Sequence, residues 1–225
     1  LDPRSVAREF KYLSFFGDQP PYVSNCRPVP FEIRTAAAPV NGAGLIFEAM
    51  QRLANSTGLS FEFTGYTDEI YAFNERKTRY SWEQDRGPLW IGWATDNEVP
   101  DLGPKADTEP YAVGVGGPVA YERGNGQHEI LGGGVVLRAG EDLANVFGPG
   151  ANEGNVLLHE LGHAMGLDHV DFPGQQMNPS LNETGPDGYA PGDRAGLQDL
   201  PEACDRYTQV SWGLRAGGLL LQRFR

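Results

Sequence analysis

Cysteine, histidine and basic side chains are all scarce in this chain of 225 residues, which has two cysteines, four histidines and 18 lysines and arginines. Thirty acidic residues outweigh the basic ones and give a formal net charge of −12, the wrong sign for a protein that neutralises phosphates. The charge balance therefore argues against nucleic acid as a partner. No apolar run approaches the roughly 20 residues that a transmembrane helix needs, so no membrane span is expected.

The two cysteines, Cys26 and Cys204, lie near opposite ends of the chain, a spacing unlike that of a short-range metal or redox pair. One disulfide that closes most of the chain is the simplest interpretation, and two unrelated buried thiols are the alternative. The sequence begins at Leu1 and shows no basic segment followed by an apolar run, so we expect any signal peptide to have been removed.

The composition predicts one globular domain of the α+β class. Hydrophobic residues make up 40% of the sequence, enough for a sizeable core, and 30 glycines with 17 prolines favour a loop-rich α+β fold over a helical bundle. Alternation of apolar residues over 31–34 and 59–63 predicts two strands. Apolar residues at four-residue intervals predict a helix between them, which Gly58 ends. This order predicts a βαβ unit with parallel strands.

Three further strands and two further helices are predicted downstream. The strands are Leu89–Trp93, Tyr111–Tyr121 and Val135–Leu137, and the glycines and proline of the second indicate a sheet edge. Asn152 is the expected N-cap of a long amphipathic helix, and Asp193 that of a short last helix.

Three of the four histidines fall within eleven residues, in the string HELGHAMGLDH that starts at His159. On a helix, His159 and His163 lie one turn apart on the same face and can bind one metal ion. Gly166 can end that helix in a left-handed conformation, so that the chain turns back and His169 supplies a third ligand. Three neutral imidazoles leave the fourth tetrahedral position open to water, as in catalytic zinc sites. Glu160, next to the first ligand, is the natural general base, although a non-catalytic metal site has the same ligand spacing.

This string, with Met177 eight residues after its end, resembles the signature of the metzincin zinc endopeptidases and is most similar to the matrixin subfamily. Astacin-like and serralysin-like turns carry a tyrosine where this chain has Asn178. The resemblance covers roughly residues 28–201 and is loose before Ala151. It implies a zincin/metzincin fold: a twisted, mostly parallel five-stranded sheet with an antiparallel edge strand, a backing helix, an active-site helix and a C-terminal helix.

The chain is interpreted as three parts. Residues 1–27 are interpreted as an N-terminal arm lying on the domain, 28–203 as a catalytic domain similar to compact bacterial matrixin-type proteases, and 204–225 as a C-terminal tail. A free Cys26 thiolate on the zinc ion, as an inhibitory ligand, is an alternative that pairing with Cys204 disfavours.

The resemblance also implies the substrate-binding residues. The fourth strand, at Val113, Gly114 and Val115, would pair with an extended substrate through main-chain hydrogen bonds. The loop that begins with Asn178 and Pro179 would form the wall of the pocket for the side chain just after the scissile bond. In the same family pattern, Asp193 would support the methionine turn at Met177.

One catalytic zinc ion (Zn), held by His159, His163 and His169, is the cofactor that the resemblance implies. The second, structural zinc ion of animal matrixins is not expected, because only His128 remains for it, and we interpret that residue as part of an exposed loop. Calcium (Ca) bound by acidic loop residues is an alternative to a solvated acidic surface; those residues are Asp96, Glu98, Asp101 and Asp107.

We therefore expect a secreted, monomeric, zinc-dependent endopeptidase that cleaves a protein or peptide substrate with a zinc-bound water activated by Glu160. A non-catalytic, zinc-containing module that binds a peptide or a cell-wall ligand is one alternative. A zinc amidase that acts on non-protein amides is another, because the chemistry at the carbonyl is the same and the ligand string does not separate the two enzymes.

Overall fold

The computed structural model describes residues 10–17, 19–23, 27–72, 87–104, 111–122, 126–181, 183–200 and 222–224. Cys26 and Cys204 lie outside these ranges, so the disulfide stays a prediction. The helices and strands are β1 (Val29–Arg34), α1 (Gly42–Thr57), β2 (Phe61–Tyr66), β3 (Leu89–Ala94), β4 (Gly114–Glu122), β5 (His128–Arg138), α2 (Glu153–Ala164), α3 (Pro191–Gln198) and β6 (Gln222–Phe224).

The strands form one sheet in the order β2-β1-β3-β5-β4-β6. The first four strands in this order are parallel to one another, and β4 runs antiparallel to β5. The predicted α+β class, the βαβ unit and the mostly parallel arrangement of β1 to β5 are therefore confirmed. The sequence does not predict β6, which adds a short strand antiparallel to β4 over Gly114–Gly116.

Helix α1 ends where the pattern predicts. Gly58 follows the helix in the left-handed conformation, with φ of 77°, and its N–H donates to the carbonyl of Ala54 at 2.8 Å. The apolar side of α1, from Leu45 to Leu53, is buried in the same core as the inward side chains of β1 and β3. Each large apolar side chain buried in this way stabilises the fold by about 1.5–3 kcal/mol.

Strand β5 is longer than the three-residue strand that the sequence predicts. It includes glycines 132–134, and a side chain at Gly134 would collide with the ring of Tyr71, so the apolar alternation that marks a strand is lost there. The interpretation of His128 as an exposed loop residue is wrong. This histidine is the first residue of β5, is half-buried and packs edge-on against the rings of Phe15 and Phe16.

Residues 10–17 and 19–23 contribute to the core, whereas the sequence led us to interpret them as an arm lying outside it. Leu13 is fully buried, Phe16 is 3% exposed, and both belong to the main hydrophobic core. A second cluster, which includes Trp90, Leu102 and Val115, is formed by the alternate side chains of the sheet and its loops. No helix in the described ranges combines the length and apolar character that crossing a bilayer requires.

Candidate metal centre

Helix α2 is fixed at both ends by its own sequence. At the start, Asn152 is the N-cap, as predicted, and its side-chain oxygen accepts a hydrogen bond from the backbone N–H of Asn155 at 2.9 Å. At the end, Gly166 adopts the predicted left-handed conformation, with φ of 97°, and its N–H donates to the carbonyl of His163 at 2.9 Å. Every residue of α2 is buried, so the helix is a rigid support for the side chains it carries.

The three predicted ligands come together at a single point. The Nε2 atoms of His159 and His163 lie 3.0 Å apart, and each lies 3.1 Å from Nε2 of His169. Three imidazole nitrogens bound to one zinc ion at about 2.0–2.1 Å with tetrahedral angles lie about 3.3 Å from each other. In the part of the chain that the structure describes, these three histidines form the group of potential ligands that lie close enough together to hold one ion.

The protonation state of the two helical histidines suits a metal ion. Nδ1–H of His159 donates to the carbonyl of Gln176 at 2.7 Å, and Nδ1–H of His163 donates to that of Leu167 at 2.8 Å. With Nδ1 protonated, Nε2 of each neutral ring carries the lone pair that can bind a metal ion. Burial, with the neighbouring His169, lowers the pKa of His163 to about 3, and burial lowers that of His159 well below its ordinary value. Both rings are therefore neutral at pH 7, as metal ligands must be.

His169 lies on a short loop that the N-terminal residues hold in place. The N–H of Leu13 donates to the carbonyl of Gly166 at 2.9 Å, and the N–H of Asp168 donates to the carbonyl of Lys11 at 2.7 Å. The Asp168 carboxylate also accepts a hydrogen bond from the backbone N–H of His169 at 2.7 Å. The third ligand is thus positioned by a backbone ladder that the sequence pattern does not reveal.

Glu160 is fully buried, and neither carboxylate oxygen has a hydrogen-bond partner. Burial raises the pKa of this carboxyl group well above its ordinary value. A Cβ atom added at Gly114 would lie 2.9 Å from Glu160 Oε1, and one added at Gly116 would lie 2.8 Å from Oε2, so only glycine lets β4 approach this closely. Two buried oxygens without partners are costly, which fits a site that also receives water or substrate.

Met177 packs against Gly162 of α2, one residue before His163. It is 1% exposed, and its sulfur occupies the space that a side chain at Gly162 would need. Asp193 supports this turn: its carboxylate accepts N–H bonds from Gln176 at 2.7 Å, Met177 at 3.2 Å and Ala190 at 2.8 Å. Asp193 caps the last helix, as predicted, but from its third position: α3 begins at Pro191, the N-cap is Ala190, and the Asp193 carboxylate accepts the N–H of Ala190.

We expect Asp193→Asn to destabilise the protein and to lower its affinity for zinc. Burial raises the pKa of Asp193 to about 6, so at pH 8 the group is a carboxylate serving three N–H donors. The NH₂ group of an asparagine here would face one of these N–H donors, and the hydrogen bond would be lost. We expect the free energy of unfolding to fall by about 1–3 kcal/mol. Urea unfolding at pH 8, with and without zinc, measures the loss. The matched control is Asp187→Asn, which breaks a half-exposed ion pair with Arg52 and should cost under about 1 kcal/mol. Equal losses in the two variants would contradict this role for Asp193.

Two of the four acidic loop residues considered for calcium are paired with arginines, and a third, Asp101, lies in the short 3₁₀ turn Pro100–Leu102. Asp96 pairs with Arg138 at 3.1 Å, and Glu98 pairs with Arg34 at 2.7 Å. Asp107 lies outside the described residues. Among the described residues, Asp96, Glu98 and Asp101 do not form a group close enough to share one ion.

The predicted substrate-binding residues are placed as follows. Val113 is half-buried beside the start of β4, and the side chain of Val115 is buried in the second core cluster, so only its backbone faces the strand edge. That edge is not open over Gly114–Gly116, because β6 pairs there and also lies beside α2. Pro179 is half-buried, two residues after the methionine of the turn.

No family model matches the chain, and a search of curated proteins finds no relative. Function is therefore inferred from the chemistry of the site.

Proposed function

We propose that the protein is a secreted, monomeric, zinc-dependent endopeptidase with a metzincin, matrixin-like fold. The observation that carries the proposal is a buried carboxylate without partners, Glu160, one residue after the first of three converging histidines. A site that served only stability would not retain such a carboxylate, because burying it without a partner costs folding free energy. Hydrolysis, in contrast, requires a proton acceptor at this place.

The roles of the residues follow from their positions. A bound zinc ion would supply Lewis acidity, which lowers the pKa of water and polarises the carbonyl oxygen of an amide. His159, His163 and His169 would hold the ion through their Nε2 atoms. Glu160 would accept a proton from water at a carboxylate oxygen and pass it to the nitrogen of the leaving amine. Met177 and Asp193 would hold the turn whose backbone carbonyl orients His159.

The edge of β4 is the proposed position for an extended peptide. Its backbone over Gly114–Gly116 already accepts one antiparallel strand, β6, beside the helix that carries Glu160. Main-chain hydrogen bonds of this kind are independent of side-chain identity and would align a peptide along the metal centre. Val113, just before β4, and Pro179, two residues after Met177, are proposed substrate contacts.

Because β6 occupies the edge that a substrate would use, deletion of residues 222–225 should increase kcat/KM on long peptides. An intramolecular strand competes at high effective concentration, so we expect an increase of about threefold to tenfold. A peptide with the sequence of residues 218–225, added to the shortened protein, should inhibit it competitively. An unchanged kcat/KM in a shortened protein that binds zinc normally would count against this competition.

The proposed function is tested on the purified chain loaded with zinc. We expect about one zinc ion per chain, cleavage of casein, loss of cleavage with a chelator and recovery with added zinc. Purified cell wall, assayed in parallel, identifies the amidase alternative if it alone is hydrolysed. If zinc binds and neither material is cut, the chain is a binding module and the proposal fails.

A further inference from the structure

Three exposed aromatic side chains, one from α1 and two from β2, form a continuous row on the surface. Phe47, Phe63 and Tyr66 are 40%, 37% and 63% exposed. The centroid of the Phe63 ring lies 5.1 Å from that of Phe47 and 5.1 Å from that of Tyr66, and both contacts are edge-to-face. The buried ring of Phe31 packs against Phe63 at 5.6 Å. We call the three exposed side chains the aromatic row.

A β-bulge places the two aromatic residues of β2 on one side of the sheet. Phe63 pairs with Phe31 of β1. Tyr66 pairs with Ile33, which belongs to the same core as Phe31, so both aromatic residues face the side of the sheet that carries α1. Side chains three residues apart in a regular strand face opposite sides. Here the register shifts by one residue, Gly65 takes a φ of 141°, and Tyr66 is turned to the side of Phe63.

The opposite side of the sheet is acidic at the same strand. By the same register, Glu62 of β2 and Glu32 of β1 face the side away from α1. Neither carboxylate makes an ion pair within the part of the chain that the structure describes. The two basic residues of 28–72, Arg34 and Arg52, are already held in ion pairs with other carboxylates. Negative charge therefore remains uncompensated on this side of β2.

The outer edge of β2 offers backbone groups for pairing with a further strand. Strand β2 is the first strand in the order of the sheet, and among the described residues its backbone pairs with β1 alone. Four of its six residues are exposed. An edge strand of this kind presents N–H and C=O groups to another extended segment. The side chains of an added strand would lie alternately beside the aromatic row and beside Glu62 and Glu32.

We propose that the outer edge of β2 binds an extended peptide segment in which basic residues alternate with β-branched or aromatic ones. The backbone of the segment adds a strand to the sheet. Its basic side chains pair with Glu62 and Glu32 on one side, and its apolar side chains pack on the aromatic row on the other. This binding needs neither a metal ion nor hydrolysis, so it is independent of the function proposed above.

A second copy of this chain is a poorer occupant of the same edge. Pairing of two β2 strands would bring Glu62 of each copy against an acidic surface, and like charges on neighbouring strands are destabilising. The net charge of −12 on each copy adds to the repulsion. A basic segment is attracted by the same charges.

The test titrates the zinc-loaded full chain into a fluorescent peptide of about seven residues in which arginine and valine alternate, and follows the anisotropy. We expect saturable binding that is at least about tenfold tighter than that of the matching glutamate–valine peptide. The binding should weaken when NaCl rises from about 0.05 M to about 0.5 M, because salt screens exposed charges. Binding no tighter than that of the glutamate–valine peptide overturns the proposal.

Two variants examine the two sides of the strand separately. Tyr66→Ser should weaken binding about twofold to fivefold, because a contact between an aromatic ring and valine is lost. Glu62→Lys should weaken it about tenfold, because an attraction becomes a repulsion. The matched controls are Tyr111→Ser and Asp142→Lys, equivalent substitutions at exposed positions outside β2, and both should bind the peptide as the parent does. Equal weakening by Glu62→Lys and Asp142→Lys overturns the proposal, since the attraction would then be that of the net charge alone.

Hydrogen exchange shows where the peptide binds. The backbone N–H groups of β2 that point away from β1 should exchange more slowly when the arginine–valine peptide is bound, whereas those of β4 should not change. Protection of β4 without protection of β2 overturns the proposal, because the peptide would then lie at the opposite end of the sheet. If sedimentation shows a dimer of the parent that Tyr66→Ser dissociates, a second copy occupies the edge and the proposal fails.

Discussion

Glu160→Gln should lower kcat for peptide hydrolysis by about 10²–10⁴-fold, the usual contribution of a general base, while zinc content stays unchanged. Glutamine has nearly the same shape and fits between α2 and the glycines of β4, so the position of the strand is preserved. It cannot take a proton from water, and the transfer to the leaving amine is therefore lost. Zinc content by mass spectrometry and kcat on a quenched peptide give the two readouts.

The same substitution should also stabilise the protein. The buried carboxyl group of Glu160 has no hydrogen-bond partner and is ionised only above its raised pKa. At such a pH a neutral amide costs less to bury, so the free energy of unfolding should rise by about 1–3 kcal/mol. Glu153→Gln is the matched control, because Glu153 is a buried glutamate in the first turn of the same helix and should keep its activity. Full activity in Glu160→Gln, or loss of zinc from it, would refute the assignment of the base.

His159→Ala should abolish stoichiometric zinc binding and with it the stabilisation that zinc gives to the fold. At a free zinc concentration of about 1,000 times Kd, the parent should gain about 4 kcal/mol of stability, because the ion binds the folded state. The variant keeps two of three ligands and also loses the Nδ1–H bond to the carbonyl of Gln176. Zinc titration followed by thermal unfolding compares the two proteins.

His128→Ala provides the control for this experiment. His128 packs against Phe15 and Phe16 at the start of β5, outside the metal centre. This variant should lose some stability with or without zinc but keep the full zinc-dependent increase in Tm. If His159→Ala showed the same zinc-dependent increase as the parent, the three histidines would not form the principal zinc site.

The convergence of the three histidines could be predicted because its geometry is local in sequence. Helical periodicity alone places His159 and His163 on one face, and Gly166 marks the turn that returns His169 to them. What holds these rings is not local. The carbonyl that fixes His159 comes from Gln176, and the support for that turn comes from Asp193, which lies 17 residues further along the chain.

The strands were harder to predict where glycine replaces apolar residues. In the sequence, the glycines of β4 indicate a sheet edge. In the structure, Gly114 and Gly116 allow close contact with Glu160. Glycines 132–134 conceal the first half of β5 for a similar reason, since neighbouring groups occupy the space of a side chain there. Strand β6 pairs through backbone groups that every residue offers, so no pattern of side chains marks its partner.

The backbone ladder between the N-terminal residues and the His169 loop makes two equilibria interdependent. Lys11 and Leu13 bond to Asp168 and Gly166, on either side of the turn that delivers the third ligand. If a bound ion favours docking of this segment by some factor, thermodynamic linkage requires that docking raise the affinity for the ion by the same factor. We therefore expect the segment around Leu13 to change the affinity of the three histidines for an ion.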